Sequence, residues 1–191
     1  MGMGEQVMFS DVGAGDPEDY NLFPLFSDTD RNSTRLWMTV LYGLIRSNGY
    51  RELVEIGVMN GVTTCVLARA AKKNGGRLIS IDVDPEAIRR AEERLIQAGL
   101  ADNVFLSVGA SQTWQPTSPV EFLFIDGDHS YSGCKGDWKT WSPLVVPGGL
   151  VAMHDTGDPA VMQVVNEVNL HHWNLMNFSG DCGLALLQRL P

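Results

Sequence analysis

Two short segments hold the side chains best suited to acid–base or metal chemistry: Asp126-Gly127-Asp128-His129 and His154-Asp155. Each follows an apolar run, V-E-F-L-F-I in one case and L-V-A-M in the other, so both acids stand where a strand stops. If those strands are neighbours, Asp126 and Asp155 approach each other. Two carboxylates about 4 Å apart repel by ~4 kcal/mol at an effective dielectric of ~20. A divalent cation removes that repulsion, as would one proton or a water. Carboxylates suit Mg2+ or Ca2+, which prefer oxygen ligands. His129, three residues past Asp126, has an unperturbed pKa of about 6.5, a value suited to a general base. Asp126, His129, His154 and Asp155 also fit a metal-dependent hydrolase. A polar turn capping the next helix is the plain alternative for 126–129, and Asp128 is read as solvating that loop.

A third segment, L-V-E-I-G-V-M-N-G-V-T-T at 53–64, reads as strand, glycine turn and helix. Glycines let a backbone approach a ligand closely, and a helix N-terminus offers unpaired N–H groups. Asp82 follows Gly61 by about 21 residues, where a carboxylate accepts the hydroxyls of a ribose. Capping the next helix is its alternative, a job that Asp84 fits better. Met59 stands where the second glycine of G-x-G-x-x-G is wanted, and Glu55 near the turn repels a pyrophosphate but suits a cation. Both features argue against a nicotinamide or flavin dinucleotide.

The elements that position these residues follow from periodicity. A helix capped by Ser33 runs to Asn48-Gly49. Strands are expected at 52–56, 77–81, 104–108, 120–125, 150–153, 174–178 and 184–188. Helices are expected at 62–73, from Asp84-Pro85 to Gly99, at 132–144 and at 159–171, with a loop at 112–119 and a turn at 147–149. The link 179–183 is too short for a crossover helix, so the last two strands pair antiparallel. The fold class is α/β: a Rossmann-like, doubly wound, seven-stranded, mostly parallel sheet with an antiparallel C-terminal hairpin and helices on both faces. In such sheets ligands bind beyond the carboxyl ends of the strands. Delivered there are Gly57, Asp82, Gly109-Ala110-Ser111, Asp126 and His154-Asp155.

E-I-G-V-M-N-G, I-D-V-D-P, F-I-D-G-D-H-S-Y and V-P-G-G-L-V-A-M-H-D, in that order, resemble class I S-adenosylmethionine-dependent methyltransferases. The similarity is nearest to the small metal-dependent O-methyltransferases of catechol, caffeoyl-CoA and macrolide-sugar type. It covers residues 52–155 and the closing hairpin. The resemblance implies that Glu55, Gly57 and Gly61 line the methionine part of S-adenosylmethionine, and that Thr63 or Thr64 meets its carboxylate. It implies Asp82 on the ribose, Ala110 and Ser111 at the adenine edge, and Asp126 beside the cofactor. Asp126 and Asp155 match the metal-binding acids, with Mg2+ or another oxygen-preferring divalent cation implied. His154 occupies a position that is often a ligand, though usually an acid or amide. Position 129 is Lys in the catechol branch and His in the sugar branch, so His129 favours an alcohol or sugar hydroxyl. A non-catalytic cofactor-binding module with the same sheet is the alternative function.

Composition bounds the rest. The 191 residues suffice for one domain, taken as 1–191, with 1–32 as a mobile N-terminal segment and lid. Within it, the aromatic stretch 20–26 reads as buried packing, a substrate lid or a contact in a homodimer. The net charge of −9 argues against nucleic acid and anionic membranes as partners, leaving a small-molecule acceptor. The N-terminus lacks the basic and apolar regions of a signal peptide, and Cys65, Cys134 and Cys182 are scattered and odd in number. Both readings point to the cytoplasm. Trp114, Tyr131, Trp138 and Trp141 are candidates for the floor of an acceptor pocket, Trp114 and Tyr131 foremost. His171-His172 is placed at a helix C-terminus with no chemistry assigned.

Overall fold

A computed structural model describes residues 34–114, 118–180 and 182–191. The expected cap Ser33 and the aromatic stretch 20–26 lie outside the described residues. The elements in order are α1 (Thr34–Asn48), β1 (Glu52–Ile56), α2 (Val62–Lys73), β2 (Arg77–Asp82), α3 (Pro85–Gln97), β3 (Val104–Val108), β4 (Val120–Ile125), α4 (Tyr131–Trp141), β5 (Val145–His154), α5 (Pro159–Asn166), β6 (Trp173–Phe178) and β7 (Leu184–Arg189). The seven strands form one sheet in the order β3-β2-β1-β4-β5-β7-β6. Strands β1 to β5 pair parallel, and β7 runs antiparallel to both β5 and β6. Strand order therefore reverses between β1 and β4, where such sheets hold ligands.

The central strands are apolar without alternation because both faces of the sheet are covered. Successive side chains still point to opposite faces. Phe122 and Phe124 of β4 pack with Leu41, Ile45 and Leu67 of α1 and α2. Leu123 and Ile125, one step out of phase, pack with Trp141, Met153 and Val164 on the side of α4 and α5. Helix starts are set by side-chain caps. Asp84 accepts from Glu86 N at 2.9 Å, Ser130 from Gly133 N at 3.1 Å and Asp158 from Ala160 N at 2.7 Å. Pro85 and Pro159 then occupy early helical positions, where no backbone N–H is missed. No helix among the described residues is long and apolar enough to cross a membrane.

Three boundaries differ from expectation. Helix α4 ends at Trp141 and tightens into a 3-10 turn, Ser142–Leu144, at Pro143. The turn expected at 147–149 is part of β5, which starts at Val145 and shifts register against β4 between Val120 and Phe122. Helix α5 ends at Asn166, not His171, because Asn169 closes a turn of its own. The Asn169 carboxamide oxygen accepts from His171 N and its carbonyl from His172 N, both at 3.0 Å. The two histidines consequently sit in a turn and not at a helix terminus.

The C-cap of α2 also ties α1 to the sheet. Asn74 Nδ2 donates to Ile45 O at 3.0 Å and Tyr50 O at 2.8 Å, and Arg46 donates to Asn74 Oδ1. Asn74→Ala is expected to lower the unfolding free energy by about 1–3 kcal/mol, since two part-buried carbonyls lose their donor. Urea titration followed by circular dichroism checks this.

Candidate functional site

The carboxyl ends of β1 and β4 lie unusually close. A Cβ on Gly57 would stand 2.1 Å from Asp126 O, and Gly57 has φ +89°. No other residue fits at 57 without separating the strands. Gly57 N donates to Ile81 O at 2.9 Å and Asp126 N to Ile56 O at 2.8 Å, which extends the sheet pairing into the turn. Gly61, at φ +75°, is needed for another reason: a Cβ there would meet Ala91 Cα of α3 at 2.6 Å. Gly61 thus packs two helices together and does not line the cleft.

The acids near the turn do unforeseen work. Asp82 Oδ2 accepts from Val58 N at 2.7 Å and Met59 N at 3.3 Å, while Oδ1 accepts from Asp84 N at 2.8 Å. The carboxylate on the cleft wall therefore also holds the glycine turn in shape. Glu55 is fully buried, with Ser80 Oγ donating to Oε2 at 2.7 Å and Oε1 without a partner among the described residues. Desolvation pushes its carboxyl up to about 8, so Glu55 is uncharged at neutral pH. The expected repulsion of a pyrophosphate by this acid is absent for that reason. Thr64, also fully buried, faces inward with no hydrogen-bond partner for Oγ1 among the described residues, though it lies near enough to Glu55 to oppose the rise. Thr63 is half-buried at the first turn of α2, and neither threonine lines the cleft.

Asp126, His129, His154 and Asp155 are brought together. His154 Nδ1 lies 3.1 Å from Asp126 Oδ1 and 3.3 Å from Asp155 Oδ2. His129 Nε2 lies 3.0 Å from Asp155 Oδ2 and 3.7 Å from Asp126 Oδ1. Asp155 reaches this position through a left-handed backbone, φ +55°, a conformation that Asp tolerates better than most residues. Burial by itself would raise the pKa of Asp126, but His129 and His154 outweigh it and hold the carboxyl low. Asp126, then Asp155, hold His129 above its usual value. The shorter contact is the one to Asp155; at 3.7 Å Asp126 is beyond hydrogen-bond reach and acts through its charge. Burial opposes charging of His154, and the same two carboxylates overcome it.

Asp126, His154 and Asp155 can each offer one ligand atom, all within 4.8 Å of one another. Two carboxylate oxygens and one imidazole nitrogen at this spacing fit a divalent ion. His154 Nε2 is buried without a partner among the described residues. A lone pair on that nitrogen, with the proton on Nδ1, leaves neither ring nitrogen of His154 an unpaired donor.

These groups share a cleft of about 790 Å³, of the size that holds a cofactor-sized ligand. Gly57, Asp82, Ala110, Ser111, Asp126, His129, His154 and Asp155 line it, as the sequence suggested. Trp114, Tyr131, Trp138 and Trp141 do not. Trp138 and Trp141 are core residues, Trp114 stacks on Trp141, and the Tyr131 hydroxyl donates to Glu167 at 2.9 Å. Trp141 still serves the site, since its Nε1 donates to Ser111 O at 3.2 Å. Gln112 and Asp137 are among the cleft residues that sequence reasoning missed. Asp137 had a signal: it shares the buried stripe of α4 with Cys134, Trp138 and Trp141, where an acid needs partners.

Glu55 also predicts a pH dependence. Its folded pKa lies above its unfolded value, so the folded state binds more protons between pH ~4.5 and ~8 and stability falls as pH rises through that window. Glu55→Gln should flatten this slope, measured by urea melts at pH 5 and pH 8. An unchanged slope would place the titration elsewhere.

Residues 54–156, more than half of the chain, match the family described as a methyltransferase domain. A catechol O-methyltransferase from Mycobacterium tuberculosis is 30% identical over 135 residues, covering 64% of this chain. The match spans only 60% of that relative's length. Among solved structures, the O-methyltransferase TomG from Streptomyces achromogenes, in complex with S-adenosylmethionine, superposes with a TM-score of 0.67 at 22% identity, over 82% of this chain and 80% of TomG. The Podospora anserina methyltransferase PaMTH1, bound to S-adenosylhomocysteine, gives 0.72 at 16% identity over 99% and 100% of the two chains. With its strand order, its glycine turn and its acids at the strand ends, the chain belongs to the methyltransferase-domain family.

Proposed function

We propose that this protein is an S-adenosylmethionine-dependent, divalent-metal-assisted O-methyltransferase acting on a hydroxyl of a small molecule, a sugar or a vicinal diol. One observation carries the reading: the glycine turn, Asp82 and the Asp126–His129–His154–Asp155 cluster open onto a single cleft. Beside Gly57 the backbone is bare enough for the methionine part of the cofactor, Asp82 faces the ribose, and Ala110 and Ser111 face the adenine. Asp126, Asp155 and His154 would hold the ion. A Mg2+ or similar ion bound there would help orient the acceptor and lower the pKa of its hydroxyl.

The acceptor oxygen attacks the methyl carbon in line with the sulfonium. The O–C bond forms as the S–C bond breaks, and S-adenosylhomocysteine leaves. His129, 46% exposed and lining the cleft, takes the hydroxyl proton on the ring nitrogen that does not face Asp155. Asp155, 3.0 Å away, orients the ring and favours the charged imidazolium that results.

Calorimetry with S-adenosylmethionine, with and without Mg2+, tests the cofactor: no binding under either condition ends this reading. Mass spectrometry of incubations with hydroxylated acceptors should show a methylated product. Asp126→Ala should abolish turnover, and full activity in that variant would remove the metal from the scheme. His129→Gln should lower kcat by roughly 10²–10⁴-fold. The base must be neutral and its pKa is raised, so wild-type activity should climb with pH above ~6.5, and a profile flat from pH 6 to 9 would exclude His129 as base.

A further inference from the structure

Asp155 offers a carboxylate to the ion site and orients His129, yet its backbone is left-handed, at φ +55°. For a residue with a Cβ that conformation is strained, and it persists only where the surroundings hold it. Backbone contacts hold part of the turn. Asp158 N donates to the Asp155 carbonyl at 2.9 Å, and Gly157 N to the Cys182 carbonyl at 2.8 Å. A side-chain contact adds to them: Thr156 Oγ1 donates to Asn177 Oδ1 at 3.0 Å.

Thr156 is 6% exposed and lies against the turn between β6 and β7, where a Cβ on Gly183 would stand only 2.5 Å from its hydroxyl. Asn177 is exposed, on the edge strand β6, which lends no described residue to the cleft. Its amide is oriented from the other side, because Nδ2 donates to Met162 Sδ of α5 at 3.8 Å. With the nitrogen so engaged, the oxygen is the atom presented to Thr156. The hydroxyl is not needed to fill space, since valine has nearly the same shape. Its effect is to fix the residue directly after Asp155. The Asp155 carboxylate then stands with Oδ2 3.3 Å from His154 Nδ1 and 3.0 Å from His129 Nε2. A change of the Asp155 backbone to negative φ swings that carboxylate away from both.

We propose that Thr156 and Asn177 are positioning residues: their hydrogen bond locks the left-handed Asp155 and so sets, from an edge strand outside the cleft, where its carboxylate stands against His129, His154 and the ion. This rests on the reading of Asp155 as an ion ligand given above. Groups that orient a metal ligand from behind are typically worth roughly 10–100-fold in metal affinity.

The experiment is a double-mutant cycle on the full chain, with Mn2+ as the probe ion in calorimetry. Thr156→Val and Asn177→Ala should each weaken Mn2+ binding by about tenfold or more, and the double variant should be no weaker than either single one. Thr156→Ser, which keeps the hydroxyl, should stay within about twofold of wild type. S-Adenosylhomocysteine affinity without metal should stay within about twofold in every variant, because the glycine turn and Asp82 lie at the ends of β1 and β2. Amide hydrogen exchange at Asp158, whose N–H closes the turn, should quicken in Thr156→Val and not in Thr156→Ser. Unchanged Mn2+ binding in Thr156→Val would overturn the proposal, as would unchanged exchange at Asp158. Additive losses in the double variant, or a parallel loss of S-adenosylhomocysteine binding, would mark a merely structural contact and overturn it too. If Thr156→Val does not fold, Asn177→Ala, at an exposed position, decides the matter. If wild type binds no Mn2+, the ion reading fails, and exchange at Asp158 alone upholds or overturns the lock.

Discussion

The cleft depends on a distance that no side chain can occupy. The ends of β1 and β4 touch at Gly57 and Asp126, where a Cβ would come within 2.1 Å of a carbonyl oxygen. That contact lies at the reversal of strand order, so it sets the depth of the crevice and the position of Asp126 together. Everything contributed by β5 is measured from there. Asp155 comes back toward Asp126 through a left-handed backbone, and His154 fills the space between the two acids.

Two kinds of acid surround this contact, and environment separates them. Glu55 is inside the sheet and uncharged at neutral pH, because Ser80 and Thr64 offset too little of the lost water. Asp126 is partly buried as well, yet it stays ionised because two imidazoles lie beside it. The same side-chain chemistry thus serves packing in one place and electrostatics in the other. Asp82 forms a third case, with its carboxylate engaged by backbone N–H groups that keep the turn open.

The walls of the cleft are supported from behind by aromatic residues that never reach the ligand space. Trp141 is fully buried and still donates to the Ser111 carbonyl, so packing on the α4 face of the sheet fixes the loop after β3. Asp137 ties the same loop through Ser111 and Gln112. A change in the core under α4 is therefore felt at the rim of the cleft, although no catalytic group lies there.

Much of this could be read from the chain alone. Apolar runs ending in Gly57, Asp82, Asp126 and His154-Asp155 marked the strands and the set of groups at one edge, because strand length and turn chemistry are local properties, and strand–helix alternation implied a parallel sheet. The closing antiparallel hairpin followed from a link too short to cross the sheet. Tertiary structure alone decided which way side chains faced and what charge they carried. Thr64 and Glu55 turned inward, Gly61 served α3 instead of a ligand, and the tryptophans went to the core. Burial and partner distance depend on elements far apart in sequence: Asp137 meets Gln112 across 25 positions, and His154 meets Asp126 across 28. No local pattern encodes those meetings, because they exist only once helix and sheet have packed.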